Sequence, residues 1–251
     1  MAFDQLLSTD VILVFVAFGL GGILKGATGV GAPFLAVPIM AVLVDVRFAV
    51  AVFLVPNIVA NAGQILRFRG SMPDRRFAFG FALAGTFGAG LGTFALAGLP
   101  SAVLTTTVAL VVLAYVAFRL FNPTWSLGWE TSQKAAAPLG AIGGVFQGAI
   151  GLSGPIAITF VNAVGLPRPQ FIFTMSLYFF SMTLAQFPVQ IGLGIMTWQR
   201  FGLGALSLVP LLLGMVLGEV IGRRVSKTVF DRIIITVLTL LALRLLVQNF
   251  G

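Results

Sequence analysis

Residues 21–33 (GGILKGATGVGAP) return as residues 143–155 (GGVFQGAIGLSGP), with six of thirteen positions identical at a fixed offset of 122. The identities are Gly21/Gly143, Gly22/Gly144, Gly26/Gly148, Ala27/Ala149, Gly29/Gly151 and Pro33/Pro155. Most of these permit unusual backbone geometry rather than fill a core. Each copy interrupts an otherwise apolar segment. In hydrocarbon a non-helical backbone leaves N–H and C=O groups unpaired unless it is buried in protein or lines a wet cavity. Two such breaks in corresponding halves point to a binding site between the halves.

Hydrocarbon is the right solvent for this chain. Of its 251 residues 59% are hydrophobic and 9% charged, and the mean hydropathy is +1.07, so a soluble fold would expose large apolar patches. The 24 Phe and 30 Gly, without period-2 alternation, indicate helices rather than a β-barrel. The fold class is therefore an all-α polytopic membrane protein. Cysteine and histidine are both absent, which removes disulfides, thiol nucleophiles, imidazole bases, haem and ordinary zinc sites. No cofactor and no metal are expected. The net charge of +8 is read through membrane topology, not as a nucleic-acid surface.

Residues 11–44 form a hairpin broken at GATGVGAP. Neither piece comfortably spans alone, and one continuous helix over that length would be roughly 50 Å long against a core of about 30 Å. A broken or re-entrant hairpin fits better. Three spans follow, at 48–66, 77–97 and 102–121, completing a first repeat over 1–121. Residues 122–134 make a polar cytoplasmic linker. The second repeat, 135–251, replays the order with a hairpin at 135–164 and spans at 171–195, 201–221 and 229–246. The opening MAFDQLLSTD carries Asp4 and Asp10 where a cleavable leader would be basic, so the first helix is expected to be retained.

Two loops, 67–76 and 223–232, each carry net charge +3. Positive-inside bias places both in the cytoplasm and both termini outside. With three full spans after each hairpin, the halves then have opposite orientation. Such inverted-topology repeats support alternating access. Trp125, Trp129 and Trp198 fall at the expected interfaces.

Lys25 is the most informative side chain, because a charge inside an apolar segment costs about 2.5 to 3.5 kcal/mol on insertion scales and usually faces a cavity or a partner, the alternative here being that it snorkels to a headgroup. Its repeat mate is Gln147, a neutral donor. Pro33 and Pro155 suit the first turns of new helices, whose N-termini would point inward and favour oxyanions. Lys25 and the two breaks (Gly26, Thr28, Gly29 and Gly31; Gly148, Gly151, Ser153 and Gly154) would form a compact anion cradle. Asn57, Asn61 and Gln64, spaced four and three apart, share one helix face, with Gln186 as the mate of Gln64. They either line the cavity or join helices by hydrogen bonds. Gly88/Gly92 and Gly214/Gly218/Gly222 read as helix-packing motifs. Glu219 and Arg223 read as an i,i+4 ion pair.

The paired motifs, each followed by a polar Asn- or Gln-bearing helix and a Gly-rich packing helix, resemble the sulfite exporter TauE/SafE family, also called toluenesulfonate uptake permeases. The resemblance covers essentially the whole chain. It implies an inner-membrane secondary transporter, an exporter of small sulfur-containing anions such as sulfite or organosulfonates, coupled to protons or to the membrane potential. No Walker-type GxxxxGK[ST] loop is present, so ATP is not the direct energy source. A small-anion channel is the alternative, since the same dipoles and lysine would select anions in a continuous pore. An intramembrane enzyme is disfavoured because Ser153 has no histidine to activate it. The sequence does not set the oligomeric state.

Overall fold

The computed structural model describes residues 9–122, 125–224 and 227–250; Asp4 lies outside them, as do the side chains of Arg223 and Asp231 in the second basic loop. Among the described residues the chain is helical throughout. In order come α1 (Thr9–Thr28), α2 (Ala32–Leu43), α3 (Val46–Arg67), a 3₁₀ turn (Arg69–Ser71), α4 (Arg75–Gly98) and α5 (Ser101–Phe121). The second half gives α6 (Trp129–Ile150), α7 (Gly154–Val164), α8 (Arg168–Gly192), α9 (Trp198–Arg224) and α10 (Lys227–Phe250). Helices α1, α3, α4, α5, α8 and α9 are long and apolar enough to cross a membrane, whereas α2 and α7, at 12 and 11 residues, are too short. The chain is a polytopic membrane protein.

The first hairpin differs from expectation in one respect. Helix α1 continues through Lys25 to Thr28, and its 20 residues amount to about 30 Å, a full crossing by length. Gly22 and Gly26 seat it on the backbone of α9, and the break falls at Gly29–Gly31, inside the GATGVGAP stretch. The polar linker is also shorter than expected. Its last part, from Trp129, is already the start of α6, where Lys134 pairs with Glu130 at 2.7 Å.

Glycine decides which helices lie side by side. A Cβ built on Gly22 or Gly26 would sit 2.2 or 2.0 Å from the carbonyl oxygen of Leu211 or Met215, and one on Gly214 or Gly218 2.3 or 2.1 Å from that of Gly19 or Ile23. Only glycine lets α1 and α9 approach this closely. The second seam repeats the first. Gly144 and Gly148 face the carbonyls of Gly85 and Ala89 on α4, while Gly88 and Gly92 face those of Ala141 and Val145 on α6. The packing reading of Gly88, Gly92, Gly214 and Gly218 therefore stands. In both seams residue numbers rise together, so the paired helices run parallel.

Between the seams α3 and α8 cross the middle antiparallel, with Asn57 opposite Thr183 and Gln64 opposite Ser176. Tyr178 of α8 stacks on Phe81 of α4 at 4.1 Å and donates its hydroxyl to the Gly140 carbonyl of α6 at 2.8 Å, locking three helices together. Arg67, ending α3, makes a two-pronged ion pair with Glu219 near the end of α9, at 2.8 and 3.1 Å. Both basic loops therefore lie at one end of the bundle. This pair spans 152 residues; the expected Glu219–Arg223 pairing falls on a side chain outside the described residues.

Candidate functional site

Helix α1 ends when the Gly29 N–H closes on the Lys25 carbonyl at 2.7 Å, after which Gly29 and Gly31 take φ of 88° and 95°. Those left-handed angles are available to glycine at little cost and turn the chain back into α2. Helix α6 ends in the same way, the Gly151 N–H meeting the Gln147 carbonyl at 2.9 Å with φ of 73° at Gly151. Pro33 and Pro155 then occupy the first turns of α2 and α7. The duplicated motif thus folds into a duplicated backbone.

Lys25 is 2% exposed, and its Nζ donates to Asn61 Oδ1 at 2.7 Å. Asn61 Nδ2 donates to Asn57 Oδ1 and to the Asn57 carbonyl, at 2.6 and 2.7 Å. Asn57 Nδ2 donates in turn to Thr183 Oγ1 on α8 at 2.8 Å. The result is a continuous buried file from α1 through α3 to α8. Among the described residues the Lys25 ammonium meets no carboxylate.

Gln64 lies one turn beyond Asn61. Its Nε2 donates to the Gly29 carbonyl in the first break at 2.9 Å, and its Oε1 accepts from Ser176 Oγ at 2.9 Å. In the second half Gln186 Nε2 reaches the Gln147 carbonyl at 3.3 Å. The Gln147 side chain turns onto its own break, where Oε1 accepts from the Ser153 N–H at 3.2 Å and from Ser153 Oγ at 2.9 Å. In each half a glutamine from the third helix therefore donates to a carbonyl at or just past the end of the first.

Several expected site residues are placed in local roles. Gly26 and Gly148 lie in the packing seams. Thr28 Oγ1 is within bonding distance of the Leu24 and Val30 carbonyls, at 2.8 and 2.6 Å, and so serves its own turn. Gly31 packs on Leu24, and Gly154 lies beneath the ring of Phe34 from the first turn of α2. That ring, also 5.2 Å from Tyr115, stands where the N-termini of α2 and α7 approach one another. Lys25 is bonded to α3 and not to either N-terminus.

Two contributors escape the sequence reading. Thr183 bridges α8 to α3 and is the offset mate of Asn61, so the repeat itself carried the signal. Ser176 has no comparable signal, being one hydroxyl in an aromatic helix. Arg168 and Arg47 bind helix-end carbonyls, Arg168 that of Ala27 at 3.0 Å and Arg47 that of Leu96 at 2.9 Å.

No curated protein and no solved structure matches the chain. A family model described as Sulfite exporter TauE/SafE matches residues 13–245, which include both glycine breaks, the Lys25–Asn61–Asn57–Thr183 file and both seams. The chain belongs to the sulfite exporter TauE/SafE family.

Proposed function

We propose that this protein is a secondary transporter that exports a small sulfur oxyanion, sulfite or an organosulfonate, across the cell inner membrane by alternating access. The observation that carries the reading is the Lys25 ammonium, buried with a neutral amide oxygen as its partner. A charge in a low-dielectric interior is strongly drawn to an opposite charge, and Asn61 Oδ1 supplies only a partial one. An oxyanion entering beside Lys25 takes that place. The amides of Asn57, Asn61 and Gln64 then donate to its remaining oxygens, with the N-terminus of α2 beyond Gly29 and Gly31 behind them. The break holding Gln147, Gly151, Ser153 and Gly154, with Gln186, forms the neutral counterpart.

In this reading the halves are inverted repeats. The parallel α1–α9 and α4–α6 seams, the antiparallel α3–α8 pair and the common end of the basic loops support it. Positive-inside bias makes that end cytoplasmic and the termini extracytoplasmic. Burial of the whole file, with Asn57 at 3% and Asn61 and Thr183 at 0%, favours an occluded transporter over an open pore. Protons or the membrane potential drive the cycle.

The test is binding of sulfite, thiosulfate, sulfoacetate, taurine, sulfate and chloride to the purified protein and to Lys25→Gln. Gln keeps a donor toward Asn61 and removes the charge. We expect selective thermal stabilisation by a sulfur oxyanion, weakened roughly tenfold to a hundredfold in the variant, the range for a hydrogen bond to a charged group. Binding indifferent to Lys25→Gln overturns the site.

A further inference from the structure

The polar file does not stop at Thr183. Gln186 and Gln190 follow it at three and seven residues along α8, a spacing that sets all three on one face of the helix. Both glutamines are 0% exposed. Gln186 gives one Nε2 hydrogen to the Gln147 carbonyl, and among the described residues its Oε1 has no partner and neither Oε1 nor Nε2 of Gln190 has one. Buried side-chain polar atoms are nearly always satisfied, since leaving them bare costs stability. Here three bare atoms fall on two residues one turn apart, in line with the file from Lys25. A glutamine retained there without a structural bond is poised for a polar guest.

Its position says where the guest is heading. Helix α8 starts beside the end of α1, where Arg168 donates to the Ala27 carbonyl, and Ala27 packs on Gly222 at the basic end of the bundle. Gln190 lies in the last turn of α8, and its own carbonyl accepts the Ile195 and Met196 N–H groups of the following turn. It is therefore at the opposite end, closed over by that turn.

We propose that Gln186 and Gln190 form a second, charge-free station for the transported oxyanion, between Lys25 and the end of the bundle opposite the basic loops. This rests on the transporter reading above. Amide N–H groups hold an anion's oxygens more weakly than an ammonium does, and a path built of unequal sites lets an ion leave as well as enter. When the far end opens, the oxyanion exchanges the Lys25 ammonium for the two N–H groups of Gln190 and the remaining one of Gln186, while the two amide oxygens accept from water that enters with it.

The experiment compares wild type, Gln190→Met and Gln190→Cys, using whichever sulfur oxyanion stabilises the wild type most. For Gln190→Met, which fills the same space without polar atoms, we expect unchanged equilibrium affinity, a higher melting temperature, and flux into proteoliposomes reduced roughly tenfold, as for one lost hydrogen bond to a charged group. Gln190→Cys, in a chain with no native cysteine, should react with a charged thiol reagent only from the face opposite the basic loops, and more slowly with substrate present. Unchanged Gln190→Met flux, or affinity falling in step with flux, overturns the station and leaves the Lys25 site standing. Cysteine labelling that ignores substrate does the same. A wild type that binds none of the sulfur oxyanions overturns the transporter reading and the station together.

Discussion

At the end of α1 the Gly29 N–H closes on the Lys25 carbonyl, and at the end of α6 the Gly151 N–H closes on that of Gln147, at 2.7 and 2.9 Å. Beyond that shared step the two breaks part. The first continues with glycine in the left-handed region at Gly31, whereas the second places Ser153 at right-handed angles, φ −86°. Ser153 gives both its N–H and its O–H to the Gln147 side chain, so the second break is satisfied from within. Lys25 leaves its break and donates across to α3. The two halves thus share the helix end and the left-handed glycine that follows it, and differ in what comes after: on the reading proposed above, a competing oxyanion gains most at the break whose cation is held by a neutral partner.

The comparison can be broken most forcefully at the seams. Gly26→Ala and Gly148→Ala each drive a Cβ to within 2.0 or 2.2 Å of a facing backbone oxygen, which cannot swing aside as a side chain would. We expect each to cost about 3 kcal/mol, the upper end of ordinary overpacking, measured by thermal unfolding in detergent. Equal losses in both halves would establish a common frame. A tolerated alanine on one side would show that the seams are not equivalent.

Exchanging the side chains at the breaks sharpens the chemistry. Gln147→Lys removes the acceptor for two Ser153 donors and should cost about 2 kcal/mol or more, since buried donors lose their partner. Lys25→Gln, which relieves a buried charge and still reaches Asn61, should cost less than about 1 kcal/mol. Similar losses in the two variants, measured by the same unfolding assay, would remove the asymmetry. Between these two falls Ser153→Ala. It should cost about 1 kcal/mol, one ordinary hydrogen bond, because the Ser153 N–H remains on Gln147.

Much of this architecture is legible in the sequence because glycine, proline and offset say so directly. The two breaks, the long apolar helices and the shared face of Asn57, Asn61 and Gln64 all follow from spacing. What stays hidden is partnership. Gly26 and Gly29 stand three residues apart in one motif, yet one meets a neighbouring backbone and the other turns the chain, and only the position of α9 distinguishes them. Nothing in the spacing announces that Arg67, 152 residues away, also meets the carboxylate of Glu219. Ser176 hides for a different reason: a hydroxyl in an apolar helix usually bonds its own backbone, as Thr183 also does to Phe179 at 2.6 Å.

The crossed seams also bear on how such a chain is made. The first helix of each half lies not against its own fourth helix but against the fourth helix of the other half. During synthesis α1 enters the bilayer while α9 is still unmade, leaving its glycine stripe and Lys25 facing lipid or whatever machinery shelters them. Asn61 arrives early enough to receive that lysine, but the seam itself closes only when the second half is threaded in. Neither half is a finished object at any stage, and any rigid unit that rocks during transport must be assembled from pieces of both.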